Sequence, residues 1–147
     1  MTKNHVRIES QKMEVVPDRV VVLVVEDDPL ARDLLTSVLT DEGYEVIAAE
    51  NGEQALAAIG TISPNLLTLD LDLPGIAGDV ILAELRRRDE TRELPVVIVS
   101  AKYRIPPDVR KMAHAIVPKP FTIDELLTVV RSIAPPPQSG NRSTSDT

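Results

Sequence analysis

The sequence predicts an α/β fold, a doubly wound five-stranded parallel sheet with helices on both faces. Short apolar runs rich in β-branched residues alternate with longer stretches of helical period, which is typical of βαβ units. The runs at 20–25 and 96–99 are apolar at every position, as expected for central parallel strands that are covered on both faces. No internal repeat is visible, so the chain is not predicted to form a repeat architecture.

Strands and helices are predicted to alternate five times. Pro29 suits a first helical turn, and Thr122 with Glu125 has the spacing of a capping box. Pro106 and Pro107 leave room for only a short fourth helix, and Gly60 is expected to end the second. The predicted strands are 20–25, 44–48, 65–69, 96–100 and 115–117, and the predicted helices are 29–42, 55–60, 79–88, 108–114 and 122–133.

The two ends of the chain differ from its middle. Residues 1–18 mix charged and apolar residues without a sustained period, and we interpret them as an N-terminal extension. Residues 135–147 form a tail rich in Pro and Ser, which we expect to be disordered. Residues 19–134 are therefore predicted to be the folded domain.

Composition excludes several classes of function. The chain has no cysteine, so disulfides, thiol catalysis and cysteine-ligated metals are excluded. A formal charge of -7 and an aromatic content of 2% argue against direct binding to nucleic acid. The densest basic cluster, at 86–88, is expected to be a solvated helix end.

Nothing in the chain suggests a membrane protein. The longest apolar run, at 20–25, is too short to cross a bilayer, and the N-terminus lacks the apolar region of a signal peptide. We expect a cytoplasmic protein without a membrane partner.

Polar side chains follow four of the predicted strands directly. Glu26 and Asp27 follow the first strand, Asp70 follows the third, Ser100 ends the fourth, and Lys119 lies just after the fifth. In a doubly wound sheet, sites form outside the carboxyl ends of the strands. The sequence therefore predicts one site that contains a carboxylate cluster, a hydroxyl and an ammonium group.

This set of groups indicates phosphoryl chemistry that depends on a divalent cation. Crowded carboxylates repel one another, and Mg²⁺ with oxygen ligands relieves that repulsion while leaving room for a phosphate. Asp70 is then the candidate nucleophile, because a carboxylate can accept a phosphoryl group as an acyl phosphate. Lys119 and Ser100 are candidates for stabilising the oxygen charge of the phosphoryl group.

Four segments, VVLVVEDDP, LLTLDLDLPGIAG, LPVVIVSA and VPKPF, resemble the signature segments of response regulator receiver domains of two-component systems. The resemblance covers residues 20–133. It implies a flavodoxin-like sheet with strand order 2-1-3-4-5, and a cis peptide bond between Lys119 and Pro120.

The resemblance also implies a role for each matching residue. Asp70 corresponds to the phosphoacceptor, Ser100 to the switch hydroxyl and Lys119 to the lysine that contacts the phosphate. The implied Mg²⁺ ligands are Glu26, Asp27, Asp70 and the backbone carbonyl of Asp72. An ion pair between Asp72 and Lys102 beside the acyl phosphate is a further hypothesis.

The resulting functional prediction is a stand-alone, single-domain receiver rather than a turnover enzyme. Its expected phosphoryl donor is a histidine kinase or a phosphotransfer protein, and its expected output is phosphorelay or binding to a downstream protein, with a homodimer left open. Two alternatives remain. One is a receiver-like scaffold that acts without phosphorylation, and the other is a small phosphohydrolase suggested by the DxD spacing in DLDLPG.

Two departures from the family pattern concern how phosphorylation is read out. The segment between Ser100 and Lys119 is short, and Ile116 stands where many receivers have a Tyr or Phe. Coupling of the switch hydroxyl to an aromatic side chain at that position is therefore excluded, and output through the fourth helix is open to question.

Overall fold

The computed structural model describes residues 4–9 and 12–137, with side chains described from residue 18 onwards. Two strands, β1 (Asn4–Glu9) and β2 (Lys12–Pro17), pair antiparallel as a separate two-stranded sheet. The N-terminal extension therefore contains regular structure, which the sequence analysis did not predict. Ser10 and Gln11, between the two strands, lack the Asn-Gly or Asp-Gly signal that marks a hairpin most clearly.

The main sheet has five parallel strands in the order β4-β3-β5-β6-β7. Numbered within this sheet alone, the order is 2-1-3-4-5, which confirms the predicted doubly wound, flavodoxin-like arrangement. The strands are β3 (Val21–Val25), β4 (Glu45–Ala49), β5 (Leu66–Leu69), β6 (Val96–Ser100) and β7 (Ala115–Pro118).

A helix follows each strand of the main sheet. The helices are α1 (Pro29–Glu42), α2 (Gly52–Ile62), α3 (Gly78–Arg87), α4 (Pro107–Met112) and α5 (Ile123–Ile133). The short α4 and the capping box of α5 are as predicted. No helix in the described part of the chain combines the length and the apolar character that a membrane span requires.

Two apolar clusters cover the two faces of the sheet. Along β3, Leu23 and Val25 face one cluster, while Val22 and Val24 face the other, because successive strand residues point to opposite faces. Buried residues of α2, α3 and α4 complete the first cluster, and those of α1 and α5 complete the second. The carboxyl edge of the sheet is left to the polar residues.

Two sequence predictions about helices were wrong. The second helix does not end at Gly60 but continues to Ile62, because one glycine in a helix costs only about 1 kcal/mol relative to alanine. The other error concerns Arg86, which is not part of a solvated helix end. Its guanidinium donates to the carbonyls of Met112, Thr91 and Arg92 at 2.9, 3.1 and 3.0 Å and so joins α3 to the end of α4.

The last helix, α5, ends at Ile133. Residues 135–137 follow α5 without regular structure, and the rest of the predicted disordered tail, 138–147, lies outside the described residues. Tyr44 donates from its hydroxyl to the carbonyl of Ala134 at 2.7 Å. This bond fixes the end of α5 at the edge of the sheet opposite to the predicted site.

Candidate functional site

Three of the predicted carboxylates converge at the carboxyl edge of the sheet. Val25 and Leu69 are register partners on β3 and β5, so the residues that follow them, Glu26 and Asp70, leave the sheet side by side. The backbone N–H of Asp70 donates to the carbonyl of Val25 at 3.1 Å. Glu26, Asp27 and Asp70 each contribute one carboxylate oxygen to a group in which all three oxygens lie within 4.8 Å of one another.

Glu26 is the most deeply buried member of this cluster, with 1% of its surface exposed. Burial raises the pKa of its carboxyl, and the negative charge of Asp70 adds to the rise, although hydrogen bonds from Lys119 and Asp28 oppose it. Glu26 accepts from Lys119 Nζ at 2.7 Å and from the backbone N–H of Asp28 at 3.1 Å. Its charge is thus held by two donors in a site that disfavours it.

Lys119 supplies the cation of the site. Its Nζ lies 2.7 Å from Glu26 Oε1 and 3.5 Å from Asp70 Oδ2. Burial lowers the pKa of the ammonium, but the hydrogen bond to Glu26 and the charges of Asp70 and Glu26 outweigh that effect, so the pKa is raised. The peptide bond between Lys119 and Pro120 is cis, as the family resemblance implies.

Asp70 is oriented from two sides. Its Oδ1 accepts from the backbone N–H of Asp72 at 3.1 Å, and its Oδ2 faces Lys119. Only 6% of Asp70 is exposed, so the carboxylate opens to solvent through a small area. The Asp72 side chain is exposed and makes no ion pair with Lys102 in the described part of the chain, so the pair suggested beside the acyl phosphate is not formed in the unphosphorylated protein.

Ser100 ends β6, two strands away from Glu26 in the sheet. The residue is buried, and its hydroxyl oxygen accepts from the backbone N–H of Lys102 at 3.1 Å. Its backbone carbonyl accepts from the N–H of Lys119 at 2.9 Å, which ties the hydroxyl-bearing strand to the lysine-bearing loop. The residues that carry the predicted hydroxyl and ammonium are therefore linked through their backbones. The hydroxyl oxygen itself accepts a hydrogen bond from the loop that follows β6.

Gly78 is a further residue of the site, and its role was not predicted from the sequence. A Cβ at this position would lie 2.4 Å from the backbone oxygen of Asp70 and 2.7 Å from Leu71 Cα. The first turn of α3 thus packs directly on the backbone of the nucleophile candidate, which only glycine permits. The segment LPGIAG contains two glycines, and only the tertiary contact distinguishes the role of the second.

The donor set fits a magnesium ion. Three carboxylates lie together and the Lys119 ammonium contacts two of them, so the cluster carries excess negative charge in a partly buried place. Hard oxygen donors in small number, with room for water and phosphate, are the ligands that Mg²⁺ prefers. The chemistry available is neutralisation of oxygen charge beside the Asp70 carboxylate.

The chain is similar to known proteins over about three quarters of its length. A family model described as the response regulator receiver domain matches residues 22–131. The chain is 32% identical over 115 residues to the DNA-binding dual master transcriptional regulator RpaA of Synechocystis, covering 76% of this chain and 48% of RpaA. It is 36% identical over 114 residues to the DNA-binding response regulator MtrA of Mycolicibacterium smegmatis, covering 76% of this chain and 49% of MtrA.

A solved structure gives the same result. TrrA, a response regulator protein from Thermotoga maritima solved in complex with Mg²⁺-BeF, is 34% identical, with a TM-score of 0.72 and coverage of 78% of this chain and 98% of TrrA. RpaA, MtrA and TrrA are named as regulators rather than as enzymes, in agreement with the predicted signalling switch.

The prediction of a stand-alone receiver concerns the length of the whole protein. The chain spans about half the length of the curated relatives it matches, so that prediction stays a prediction. The family itself is shown by the match over residues 22–131. The chain belongs to the response regulator receiver domain family.

Proposed function

We propose that this receiver domain accepts a phosphoryl group on Asp70 in a Mg²⁺-dependent reaction and passes the signal on by binding a partner protein or by phosphorelay. The donor is the phosphohistidine of a histidine kinase or of a phosphotransfer protein. The observation that carries the proposal is the setting of the Asp70 carboxylate. It lies within 4.8 Å of two further carboxylates and 3.5 Å from the Lys119 ammonium.

Asp70 acts as the nucleophile in this proposal. One of its carboxylate oxygens forms a bond to phosphorus while the bond from phosphorus to the imidazole nitrogen of the donor breaks and leaves its electron pair on that nitrogen. The Asp72 N–H holds Oδ1 and so orients the carboxylate before the donor arrives. Because phosphoryl transfer needs mainly alignment and charge neutralisation, this orientation contributes directly to the rate.

The proposed Mg²⁺ ligands are Glu26, Asp27, Asp70 and the backbone carbonyl of Asp72. When bound, the ion neutralises oxygen charge on the carboxylates and on the incoming phosphoryl group. Receiver domains bind Mg²⁺ at an acidic pocket, and the acidic cluster of this chain supports the same assignment here.

Lys119 is proposed to contact the phosphoryl group. Its Nζ lies nearer to Glu26 than to Asp70, at 2.7 and 3.5 Å. Neutralisation of the acidic pair would release the ammonium from Glu26 and let it donate to a phosphoryl oxygen on Asp70. The raised pKa favours the protonated ammonium, as this role requires.

Ser100 is proposed as the switch hydroxyl of the readout. Its Oγ now accepts from the Lys102 N–H, and turning it towards a phosphoryl oxygen on Asp70 would free that N–H and the loop that carries it. Ile116 offers no aromatic side chain to follow this movement. We propose a protein partner and no direct contact with nucleic acid, because the chain carries a formal charge of -7.

The direct test is intact-mass measurement after incubation with acetyl phosphate and Mg²⁺. We expect wild type and Asp72→Asn to gain the mass of one phosphoryl group and Asp70→Asn to gain none. Asp72→Asn is the matched control because it changes a neighbouring carboxylate while keeping the backbone carbonyl.

Three outcomes would contradict the proposal. An adduct that persists in Asp70→Asn would show that another residue is the acceptor. A phosphorylation rate that EDTA does not change would show that the reaction does not depend on Mg²⁺. Absence of any adduct in the wild type would favour the receiver-like scaffold.

Light scattering with and without acetyl phosphate shows in the same samples whether phosphorylation produces a homodimer.

A further inference from the structure

Arg32 contacts the backbone of the acidic pair. It lies in the first turn of α1, and its Nη1 donates to the carbonyl of Glu26 at 3.0 Å and to the carbonyl of Asp27 at 3.2 Å. On its other side, Nη2 lies 4.0 Å from Glu50 Oε2, beyond the end of β4. Only 17% of the Arg32 side chain is exposed, so the guanidinium is held between two loops of the carboxyl edge.

This contact determines where the two carboxylates leave the chain. Each peptide group is planar, so fixing the direction of a carbonyl fixes the plane of the peptide bond that follows it and restricts the backbone on both sides. A single nitrogen that binds two successive carbonyls holds both on the same side of the turn. The Glu26 N–H is bound in turn by the carbonyl of Ala49 at 3.0 Å.

Asp27 depends on this backbone support more than Glu26 does. The Glu26 carboxylate has its own donors, Lys119 Nζ and the Asp28 N–H. The Asp27 carboxylate is exposed and receives no hydrogen bond or ion pair from any residue that the structure describes. Its place within 4.8 Å of Asp70 is therefore set by the backbone that Arg32 holds.

We propose that Arg32 is a positioning residue for the Mg²⁺ site, which acts through the carbonyls of Glu26 and Asp27 to keep the Asp27 carboxylate opposite Asp70. This inference rests on the proposed Mg²⁺-dependent function. A purely electrostatic role predicts the opposite result, because a guanidinium beside the site repels a cation and its removal would tighten Mg²⁺ binding. The sign of the change in affinity thus separates the two roles.

The experiment is an NMR titration of the unphosphorylated full chain with MgCl₂. Arg32→Gln removes the charge and the Nη1 donor, and Arg32→Lys keeps the charge but carries its ammonium one bond nearer to the backbone than Nη1, short of the two carbonyls. We expect both variants to raise the Kd for Mg²⁺ by about 10-fold, the usual effect of losing a residue that orients metal ligands. The half-saturating Mg²⁺ concentration for phosphorylation by acetyl phosphate should rise by the same factor, with a maximal rate within about twofold of wild type.

Two controls isolate the carbonyl contacts. Glu50→Gln removes the distant ion pair of Arg32 without touching the carbonyls, and we expect it to leave the Kd unchanged. Arg131→Gln makes the same substitution in α5, where Arg131 pairs with Glu42 of α1 at 2.6 Å. This variant tests whether a general loss of stability changes the Kd. A Kd that is unchanged or lowered in Arg32→Gln, or unchanged in Arg32→Lys, would overturn the inference.

Failure of the proposed function gives a different pattern. If the wild type neither binds Mg²⁺ nor gains a phosphoryl group, the proposed function itself fails. If the wild type does both and the Arg32 variants match it, only the role of Arg32 fails.

Discussion

Two neighbouring parts of the molecule are held in different ways. In the acceptor cluster, formed by Glu26, Asp27, Asp70 and Lys119, the Lys119 ammonium contacts the carboxylates of Glu26 and Asp70, the closer at 2.7 Å. The α4 segment, residues 101–114, is held by contacts between side chains and backbone. Its main anchor is the bond of 2.9 Å from Arg86 Nε to the carbonyl of Met112.

The difference indicates a division of roles. Contacts between charged side chains change strength when a cation or a phosphoryl group arrives, because that event changes the local charge. Hydrogen bonds to backbone carbonyls do not depend on that charge to the same extent. We therefore expect the acceptor cluster to respond to ligands and the α4 segment to limit how far the response spreads.

Gly78→Ala should have the largest effect on stability, because the added methyl group displaces the backbone that carries Asp70 of the acceptor cluster. The added Cβ would meet backbone atoms of Asp70 and Leu71 at 2.4 and 2.7 Å, which cannot move aside as a flexible side chain would. We expect urea denaturation to show a loss of about 3 kcal/mol in the free energy of unfolding. Phosphorylation of Asp70 should slow in parallel, because the displaced backbone carries the acceptor.

Gly60→Ala is the matched control for that prediction. Gly60 lies within α2, and a Cβ there would have no heavy atom within 4 Å. Alanine should stabilise the helix by about 0.5–1 kcal/mol through its lower conformational entropy in the unfolded chain. Equal effects of the two substitutions would contradict the proposed close contact at Gly78.

Arg86→Met tests the anchor of the α4 segment and should have the second largest effect. Methionine keeps most of the aliphatic packing but leaves the carbonyls of Met112, Thr91 and Arg92 without their donor. We expect a loss of about 1–2 kcal/mol, below the full penalty, because the buried Nη2 that lacks a partner is removed as well. Hydrogen exchange should become faster in α4 and at the start of β7.

Arg87→Met provides the comparison at the next position. Arg87 is exposed and pairs with Glu84 on the helix surface, so its loss should cost less than about 0.5 kcal/mol. If Arg87→Met loosens α4 as much as Arg86→Met does, the anchor is not the cause.

Glu26→Gln should change the free energy of unfolding least, and at neutral pH it should raise that free energy rather than lower it. The pKa of Glu26 is raised above its ordinary value of 4.5, chiefly by burial, so the folded state binds this proton more tightly than the unfolded state. Stability from this group is therefore fully present below pH 4.5 and is lost as pH rises through the folded pKa. Glutamine mimics the neutral acid, so the variant should be more stable than wild type at pH 7.

The measurement is urea denaturation at several pH values from 4 to 8, without Mg²⁺. We expect the fall in stability with rising pH to be shallower in Glu26→Gln than in wild type. Glu90→Gln changes an exposed carboxylate and should leave the wild-type slope in place. If the slope of stability against pH is unchanged in Glu26→Gln, the protonation of Glu26 does not cause the pH dependence.

Much of the fold could be predicted because its signals are local. The wholly apolar runs of β3 and β6 indicate buried parallel strands, and Thr122 with Glu125 marks the start of α5 within one residue. The hairpin formed by β1 and β2 was missed because no turn signal separates its strands. The end of α2 was misplaced because Gly60 weakens a helix without ending it.

The same limit applies to the site. Each predicted residue lies at the end of a strand or shortly after it, so the alternation of elements was enough to bring Glu26, Asp27 and Asp70 together. Residues that support the site from elsewhere were not predicted. Arg32 and Gly78 contact backbone atoms, and Arg86 donates to three backbone carbonyls. Such contacts require no motif of side chains, so no pattern in the sequence indicates the roles of these residues.

The sequence by itself determined the order of the elements, the family and the chemical identity of the acceptor cluster, because periodicity and strand ends are properties of short segments. Only the tertiary structure decided which contacts hold that cluster and the α4 segment in place. The supporting bonds join residues distant in sequence, such as Lys119 to Glu26, or a side chain to a backbone carbonyl. Such contacts depend on how the helices pack on the sheet, and packing of this kind leaves no periodic trace in the chain.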